Sequence, residues 1–329
     1  MRWAAIILAA LAAASAVNQF VAYYPTAGDL YAAVAGTPQL EQTQLSALGS
    51  VSPDTTTGRV VPVTIPATFS QFQHREEYVY LPPAWFRGHD HPHLPAIELI
   101  GGVLNHPDDW IRAGQAVASA DSYAAAHGGW APILVFADPS GGFGPDTECV
   151  DGPRGNAETH LARDIPAYVD HTFGATRWGV AGWSMGGTCA LDLSLRHPDV
   201  FPSFLDISGD VGPNLGSRAS TIQYLYGGDA AAWAAHDPRT VLAAHRGPWR
   251  VHGVFAAGVA EPAHIGPARM LAAAASRAGL DAGVHVEPGA HSWSFAARMF
   301  GQQLPWFAGQ LQGPDQATVM PTFRSGRPG

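Results

Sequence analysis

The chain has 329 residues, of which 47% are hydrophobic and only 14% are charged, and its formal net charge is −9. A chain of this length and composition can bury one substantial core, so a single large domain is the expected organisation. All 18 basic residues are arginines, and they form no basic patch large enough to follow a phosphate backbone. The composition therefore argues against a nucleic-acid partner.

The N-terminus has the pattern of an export signal. Arg2 supplies a positive charge, an apolar stretch follows from Trp3 to Ala14, and Ala14-Ser15-Ala16 has the small residues of a cleavage site. The apolar run is shorter than the roughly 20 residues of a spanning helix, although its continuation to Ala22 leaves an uncleaved anchor open. We therefore expect a signal peptide or membrane anchor over 1–22, a connecting segment over 23–58, and a protein that is secreted or held in the cell envelope.

The rest of the chain alternates strand-like and helical segments. Runs at 59–65 and 77–81 are rich in β-branched and aromatic residues and predict an antiparallel opening pair. Further strands are predicted at 97–100, 133–137, 178–181, 204–207, 251–256 and 284–286, and helices at 109–127, 157–169, 188–196 and 268–278. This alternation predicts an α/β fold over 59–311, with a mostly parallel sheet covered on both faces, before a disordered tail over 312–329.

Cys149 and Cys189 are the only cysteines, so the sequence has neither a disulfide-dense scaffold nor a four-cysteine zinc set. In an oxidising compartment the two could form one bridge, because the loop of Cys149 is expected to pass near the helix of Cys189. Two buried thiols are the alternative, and the sequence leaves both open.

The motif Gly182-Trp183-Ser184-Met185-Gly186 fits the pattern G-x-S-x-G and lies between a predicted strand and a predicted helix. A serine hydroxyl is a weak nucleophile until a sharp strand-to-helix turn holds it within reach of a base. The glycines remove side chains that would clash in this turn, and the turn points the backbone N–H of Met185 towards a developing oxyanion. We predict Ser184 as the nucleophile and Met185 as an oxyanion donor, and a purely structural turn is the alternative.

His291 and Glu261 are the predicted partners of this serine. His291 follows the last predicted strand, and of the 15 histidines it is the one in a loop that can reach over the serine. Glu261 follows the preceding strand, and its interval to His291 accommodates one helix and one strand. Asp210, after the predicted strand at 204–207, is the competing acid. With Glu261, the order serine, acid, histidine is that of the α/β-hydrolase fold.

The loop after the predicted strand at 97–100 should supply the second oxyanion donor. It reads Gly101-Gly102-Val103-Leu104, where the N–H of Val103 is the expected donor and Gly102 is next, with a plain glycine turn as the alternative. The aromatic residues Trp110, Phe143 and Trp293 are candidates for the walls of an apolar acyl site, although each also suits the core.

No metal or cofactor is expected. Two sets of residues invite a metal interpretation, but both suit solvated turns, since one is a histidine run in a predicted surface turn and the other lies in a glycine-rich loop. These sets are His89, His91 and His93, and Asp146, Glu148 and Asp151.

Together these motifs resemble a known family. They comprise Gly101-Gly102-Val103, Asp108-Asp109-Trp110, the motif around Ser184 and His291-Ser292-Trp293, and they extend over roughly residues 97–310. The chain resembles the esterase D-type α/β-hydrolases and, among them, the secreted mycobacterial mycolyltransferases of the antigen 85 group. The resemblance implies the same nucleophile, acid and base as the motifs, with Val103 and Met185 as oxyanion donors.

One departure bears on the substrate. Where the mycolyltransferases have Asp-Gly-Leu-Arg, whose charged residues help to hold trehalose, this chain has Gly101-Gly102-Val103-Leu104. The expected activity is therefore hydrolysis of an ester or acyl-lipid substrate through an acyl-enzyme. Acyl transfer to an envelope glycan or lipid is the first alternative. A non-catalytic envelope or adhesion protein on a hydrolase scaffold is the second.

Overall fold

A computed structural model describes residues 42–88, 91–142 and 146–312. The predicted signal or anchor over 1–22, His89, Phe143 and the tail from 313 onward lie outside these ranges. Within them, no helix combines the length and hydropathy needed to cross a bilayer.

The described residues form a sheet of eight strands whose order is β1-β2-β4-β3-β5-β6-β7-β8. Strand β2 is antiparallel to both of its neighbours, which confirms the predicted opening pair, and the pairs from β4 to β8 are all parallel. The strands are β1 Arg59–Val63, β2 Glu77–Leu81, β3 Ala96–Ile100, β4 Ile133–Ala137, β5 Trp178–Trp183, β6 Ser203–Ile207, β7 His252–Gly258 and β8 Asp281–Glu287.

Helices cover both faces of this sheet, as an α/β fold requires. Helices α2 and α10 pack together on one face, and α4, α5 and α9 contribute to the core on the other. The helices are α1 Asp109–Arg112, α2 Ala116–Ala126, α3 Ala157–Thr159, α4 Ile165–Phe173, α5 Met185–Arg196, α6 Arg218–Leu225, α7 Ala230–His236, α8 Pro238–Ala244, α9 Pro262–Arg277 and α10 Trp293–Leu311.

The central strands are buried on both faces, which is why their sequences are continuous apolar runs. In β3, Ile97 and Leu99 belong to the core under α2 and α10, whereas Ala96 and Ile100 belong to the opposite core. Successive side chains of a strand point to opposite faces, so one strand contributes to two cores. This burial fixes the register of the strands and therefore the positions of the loops at their carboxyl ends.

Two predicted helices differ from the structure in their continuity. The helix predicted over 109–127 is interrupted between α1 and α2, where Gln115 takes the left-handed φ of 49°. The helix predicted over 157–169 extends to Phe173 and contains a π-helical turn, His160–Asp164, between α3 and α4. Each interruption has a residue beside it that weakens a helix, since Gly114 directly precedes Gln115 and Pro166, which has no N–H to donate, follows the π turn.

Three short helices between β6 and β7 were not predicted, although their N-caps are visible in the sequence. The side chains of Ser217, Asp229 and Asp237 each accept a backbone N–H of the following helix. Such caps satisfy N–H groups that lack a partner in the first turn. Here the capping residues were a better signal than the weak apolar periodicity of the segment.

The described part of the predicted connecting segment packs against the sheet. Gln42 forms a parallel bridge with Val60, and Leu48 is buried in a 3₁₀ turn, Leu45–Ser50. Residues 42–58 therefore belong to the same compact unit as the domain.

The two cysteines form a disulfide across a sequence separation of 40 residues. Cys149 lies in the loop before α3, and Cys189 lies within α5, the helix that begins directly after Ser184. The bridge therefore ties this loop to the helix that carries the nucleophile.

Replacing both cysteines, as in Cys149→Ala/Cys189→Ala, should lower the free energy of unfolding by up to about 4 kcal/mol, because a bridge closing a loop of this length restricts the unfolded chain. Urea titration measures the change. Dithiothreitol should reproduce most of the loss in the wild type and leave the double variant unaffected. Equal midpoints for the oxidised and reduced wild type would contradict the expectation.

Candidate active site

Ser184 lies at a bend between β5 and α5 that is too tight for ordinary side chains. A Cβ atom on Gly182 would lie 2.0 Å from the carbonyl oxygen of Gly186, and one on Gly186 would lie 2.1 Å from that of Ile100. Ser184 itself has φ 59° and ψ −125°, a strained conformation for a residue with a side chain. This is the strand–turn–helix context that the G-x-S-x-G motif requires.

The structure brings the three predicted catalytic side chains together at the carboxyl ends of β5, β7 and β8. Nε2 of His291 lies 3.0 Å from Oγ of Ser184, and its Nδ1 lies 2.7 Å from Oε2 of Glu261. Both distances are within hydrogen-bond range. A base that is hydrogen-bonded to the nucleophile and oriented by a carboxylate is the arrangement that activates a serine.

Glu261 is only 4% exposed, and its charge is supported from several directions. Burial acts to raise its pKa, but the neighbouring His264, His291 and Ser208 side chains lower the pKa to about 2. Its Oε1 accepts hydrogen bonds from Ser208 Oγ at 3.1 Å and from the Gly258 N–H at 3.0 Å. The carboxylate is therefore ionised at neutral pH, as an imidazolium partner needs.

The competing acid, Asp210, has other contacts. Its backbone N–H donates to Thr188 Oγ1, and its carboxylate accepts from the Asn214 amide. Sequence reasoning missed Ser208, which directly follows β6 and has φ 55°. The sequence signal for Ser208 was its position directly after a central strand, where functional side chains of this fold collect.

The ring of His291 contacts two other rings. His264 stacks on it at a centroid distance of 4.5 Å, and Trp183 lies 4.9 Å away. Trp183 in turn contacts Trp293 at 4.6 Å, and Trp293 contacts Trp110 at 5.2 Å. The three tryptophans thus form a row that ends at the catalytic imidazole.

The placement of Trp110 and Trp293 corrects the expectation that they wall an acyl site. Each is only 1% exposed and belongs to the core under α2 and α10. The indole N–H of Trp110 donates to the carbonyl of Ile100, the last residue of β3. Both side chains therefore belong to the core that underlies the site, and neither has a face that a substrate could contact.

The predicted oxyanion loop lies directly against the nucleophile. A Cβ on Gly102 would come within 3.1 Å of Ser184 Cβ, so glycine leaves room there. The Gly102 N–H is already donated to Asn105 Oδ1 at 2.7 Å, which corrects its candidacy as a donor to substrate. The N–H groups of Val103 and Met185 have no acceptor among the described residues, so both are available for an oxyanion. Met185 is also the first residue of α5, where the helix dipole favours negative charge.

Asn105 and Arg75 support this loop, and neither was found from the sequence. Arg75 donates to the Asn105 carbonyl at 2.8 Å and forms a 2.6 Å ion pair with Asp138. Contacts therefore connect the ion pair of Arg75 with the buried Asp138 to the backbone beside Ser184. Asn105 accepts an N–H from three residues earlier in the chain, the reverse of the usual side-chain turn, so no spacing rule signalled this contact.

The two sets considered for a metal do not converge on a common point within the described residues. His91 stacks on Trp85, and His93 contacts the Gly174 carbonyl. Asp146 accepts the backbone N–H of Glu148, whereas Asp151 accepts from Thr159.

The fold and this triad define the chain as an α/β-hydrolase with a serine nucleophile. The chain belongs to the family described as "Putative esterase", whose sequence profile matches residues 73–307. It is an enzyme, a serine esterase or acyltransferase, and it resembles the antigen 85 proteins.

Three known proteins show what the chain is similar to in sequence or in fold. An uncharacterized protein of Corynebacterium glutamicum is 30% identical over 318 residues, covering 92% of this chain and 74% of that protein. A diacylglycerol acyltransferase/mycolyltransferase, Ag85A of Mycobacterium ulcerans, is 36% identical over 99 residues, covering 25% of this chain and 28% of that protein. An S-formylglutathione hydrolase from Agrobacterium tumefaciens has a similar fold, with a TM-score of 0.62 and 20% identity over 78% of this chain and 97% of that chain.

Glu261→Gln should lower kcat by roughly 10³- to 10⁴-fold, because a neutral amide neither fixes the tautomer of His291 nor stabilises its imidazolium. Asp210→Asn, the matched control, should change kcat little. Steady-state kinetics with a p-nitrophenyl ester measures both. Comparable losses in the two variants would contradict the assignment of the acid.

Asn105→Leu should lower kcat by about 10- to 100-fold with little change in KM, because the oxyanion loop loses the acceptor that fixes Gly102. Asn105→Asp keeps an acceptor oxygen in the same place and should recover most of the activity. If Asn105→Leu and Asn105→Asp had the same kcat, and both had the melting temperature of the wild type, Asn105 would not position the loop.

Proposed function

We propose that this protein is a serine carboxylesterase that acts through an acyl-enzyme on an ester substrate outside the cytoplasmic membrane. The observation that carries the proposal is the pair of contacts of His291, 3.0 Å to Ser184 Oγ and 2.7 Å to Glu261. Family membership supports the reaction class.

In the first half-reaction, Ser184 Oγ attacks the ester carbonyl while its proton moves to Nε2 of His291. The oxyanion of the tetrahedral intermediate accepts hydrogen bonds from Val103 and Met185 N–H. As the intermediate collapses, the C–O bond to the alcohol breaks, and His291 returns its proton to the departing oxygen. This leaves an acyl group esterified to Ser184.

In the second half-reaction, water gives a proton to His291 and attacks the acyl carbonyl. The bond from the acyl carbon to Ser184 Oγ then breaks, the acid leaves, and His291 passes its proton to Oγ, which restores the hydroxyl. Ionised Glu261 stabilises the imidazolium in both halves. Val103 and Leu104 are 45% and 64% exposed in the loop beside the nucleophile, which supports an ester substrate with apolar groups close to the carbonyl.

The extracellular location rests on two supporting features. The first is the signal-like pattern of residues 1–22. The second is the Cys149–Cys189 disulfide, since such bonds persist mainly in oxidising compartments. The alternative to cleavage of the signal peptide is that residues 1–22 stay attached as a membrane anchor.

Acyl transfer to an envelope glycan or lipid is the second candidate function, favoured by the similarity to a segment of Ag85A. An acceptor hydroxyl would then replace water in the second half-reaction. The uncharged Gly101 and Leu104, at the positions of charged residues in that group, favour hydrolysis.

The protein should hydrolyse p-nitrophenyl esters of graded chain length, and Ser184→Ala should abolish turnover. With sugar or glycerol acceptors added, mass spectrometry should find mainly the free acid. Acylated acceptor as the main product would favour the transferase. The absence of turnover with every ester and acceptor would contradict both functions.

A further inference from the structure

A second histidine lies beside the catalytic pair without a role in the reaction described above. His264 lies in the first turn of α9, and its ring is within 16° of parallel to that of His291, at a centroid distance of 4.5 Å. Its Nδ1 lies 3.3 Å from Oε2 of Glu261, the same oxygen that lies 2.7 Å from Nδ1 of His291. The two stacked imidazoles therefore share one carboxylate oxygen.

His264 faces acidic groups from three different places in the fold. Glu261, the N-cap of α9, is the largest influence that raises the pKa of His264, and the carboxylates of Asp210 and Asp206 act in the same direction. Burial and the start of a helix act the other way, because both disfavour a cation. The carboxylates outweigh these effects, so the pKa of His264 lies above its ordinary value.

Asp206 and His264 stabilise each other's charged form. Asp206 is the fourth residue of β6 and is only 3% exposed, and burial raises its pKa to about 7. The Gly209 N–H, which donates to Asp206 Oδ1 at 2.8 Å, and the charge of His264 both favour ionisation of this carboxyl. Within the described residues, by contrast, His291 forms an ion pair with Glu261 alone. Of the two rings, His264 is therefore the better place for a positive charge.

The shared carboxylate makes the two rings a coupled pair that binds protons in two steps. The first proton goes to the ring with more acid around it, His264, and this leaves His291 neutral and able to accept the proton of Ser184. A second proton has to enter a ring that is stacked on an existing cation, and like charges at this distance disfavour it.

We propose that His264 is a positioning residue that holds a positive charge against Glu261 and His291 and thereby keeps the catalytic base unprotonated to a lower pH. The inference rests on the proposed function, because it concerns the base of the same reaction. Its consequence is that ester hydrolysis continues in acidic surroundings that would protonate a histidine paired with one carboxylate and no neighbouring cation.

The pH dependence of kcat/KM for a p-nitrophenyl ester tests the proposal, because its acid limb reports the base of the free enzyme. His264→Phe keeps a flat ring against His291 but removes the charge, so the midpoint of the acid limb should move up by about 0.5 to 1 pH unit. His264→Arg restores a planar cation and should return the midpoint towards the wild-type value.

His252→Phe is the matched control, since it removes an exposed histidine 3.4 Å from Asp281, at the amino end of β7, and should leave the midpoint unchanged. If His264→Phe lowered kcat/KM equally at every pH, the residue would have a structural role only and the proposal would be overturned. Equal midpoints for His264→Phe and His264→Arg would also overturn it, because the charge would then have no effect.

NMR titration of the imidazole nitrogens in the inactive Ser184→Ala chain tests the same claim without turnover. As the pH falls, His264 should gain its proton before His291, and adding His264→Phe should raise the pH at which His291 gains its own. The opposite order of protonation would overturn the proposal. If the wild type hydrolyses no ester, the proposed function fails, and the titration still decides which histidine holds the first proton.

Discussion

The catalytic geometry depends on the close approach of the start of α5 to the end of β3. Gly182 and Gly186 leave no space for a Cβ atom, and Gly186 lies directly against the carbonyl of Ile100. Ser184 has its strained conformation at this approach, and the oxyanion loop that follows Ile100 lies against the same residue. Strain of this kind costs about 1–3 kcal/mol, and the buried strands on either side hold it in place. One backbone contact thus positions both the nucleophile and the groups that stabilise its intermediate.

The second requirement is a buried negative charge. Burial acts to raise the pKa of Glu261, but the side chains of His264, His291 and Ser208 lower it, and the Gly258 N–H also donates to the carboxylate. Because Ser208, Gly258 and His291 come from the ends of β6, β7 and β8, the carboxylate joins three loops whose positions the sheet register fixes. His291, the base, is consequently oriented by the sheet, through Glu261, as well as by its own loop. The row of tryptophans from Trp110 to Trp183 adds support from the core.

Much of the fold follows from the sequence because its signals are local. Apolar runs separated by helical stretches predicted the parallel strands, and the glycines around Ser184 predicted the bend. Glu261 and His291 followed from strand order, since parallel strands bring their carboxyl ends to one edge. The break at Gln115 and the π turn at His160–Asp164 escaped prediction although Gly114 and Pro166 lie beside them, because a helix often continues through a single glycine or past a proline near its start.

The errors at the site arise from packing and side-chain contacts. A tryptophan after a strand suits either a core or a pocket, and only the packing shows that Trp110 and Trp293 are buried. The N–H of Gly102 looked available because a sequence does not reveal the contact that Asn105 makes with it. Ser208 contributes through a contact to Glu261 across 53 residues, which no local pattern encodes.

Labelling with a fluorophosphonate, followed by peptide mass spectrometry, tests the central claim most directly, because the reagent reacts with a serine that a base has activated. A single adduct is expected on Ser184, with a rate that falls by orders of magnitude in His291→Ala. An adduct on another residue, or an unchanged rate without His291, would contradict the account.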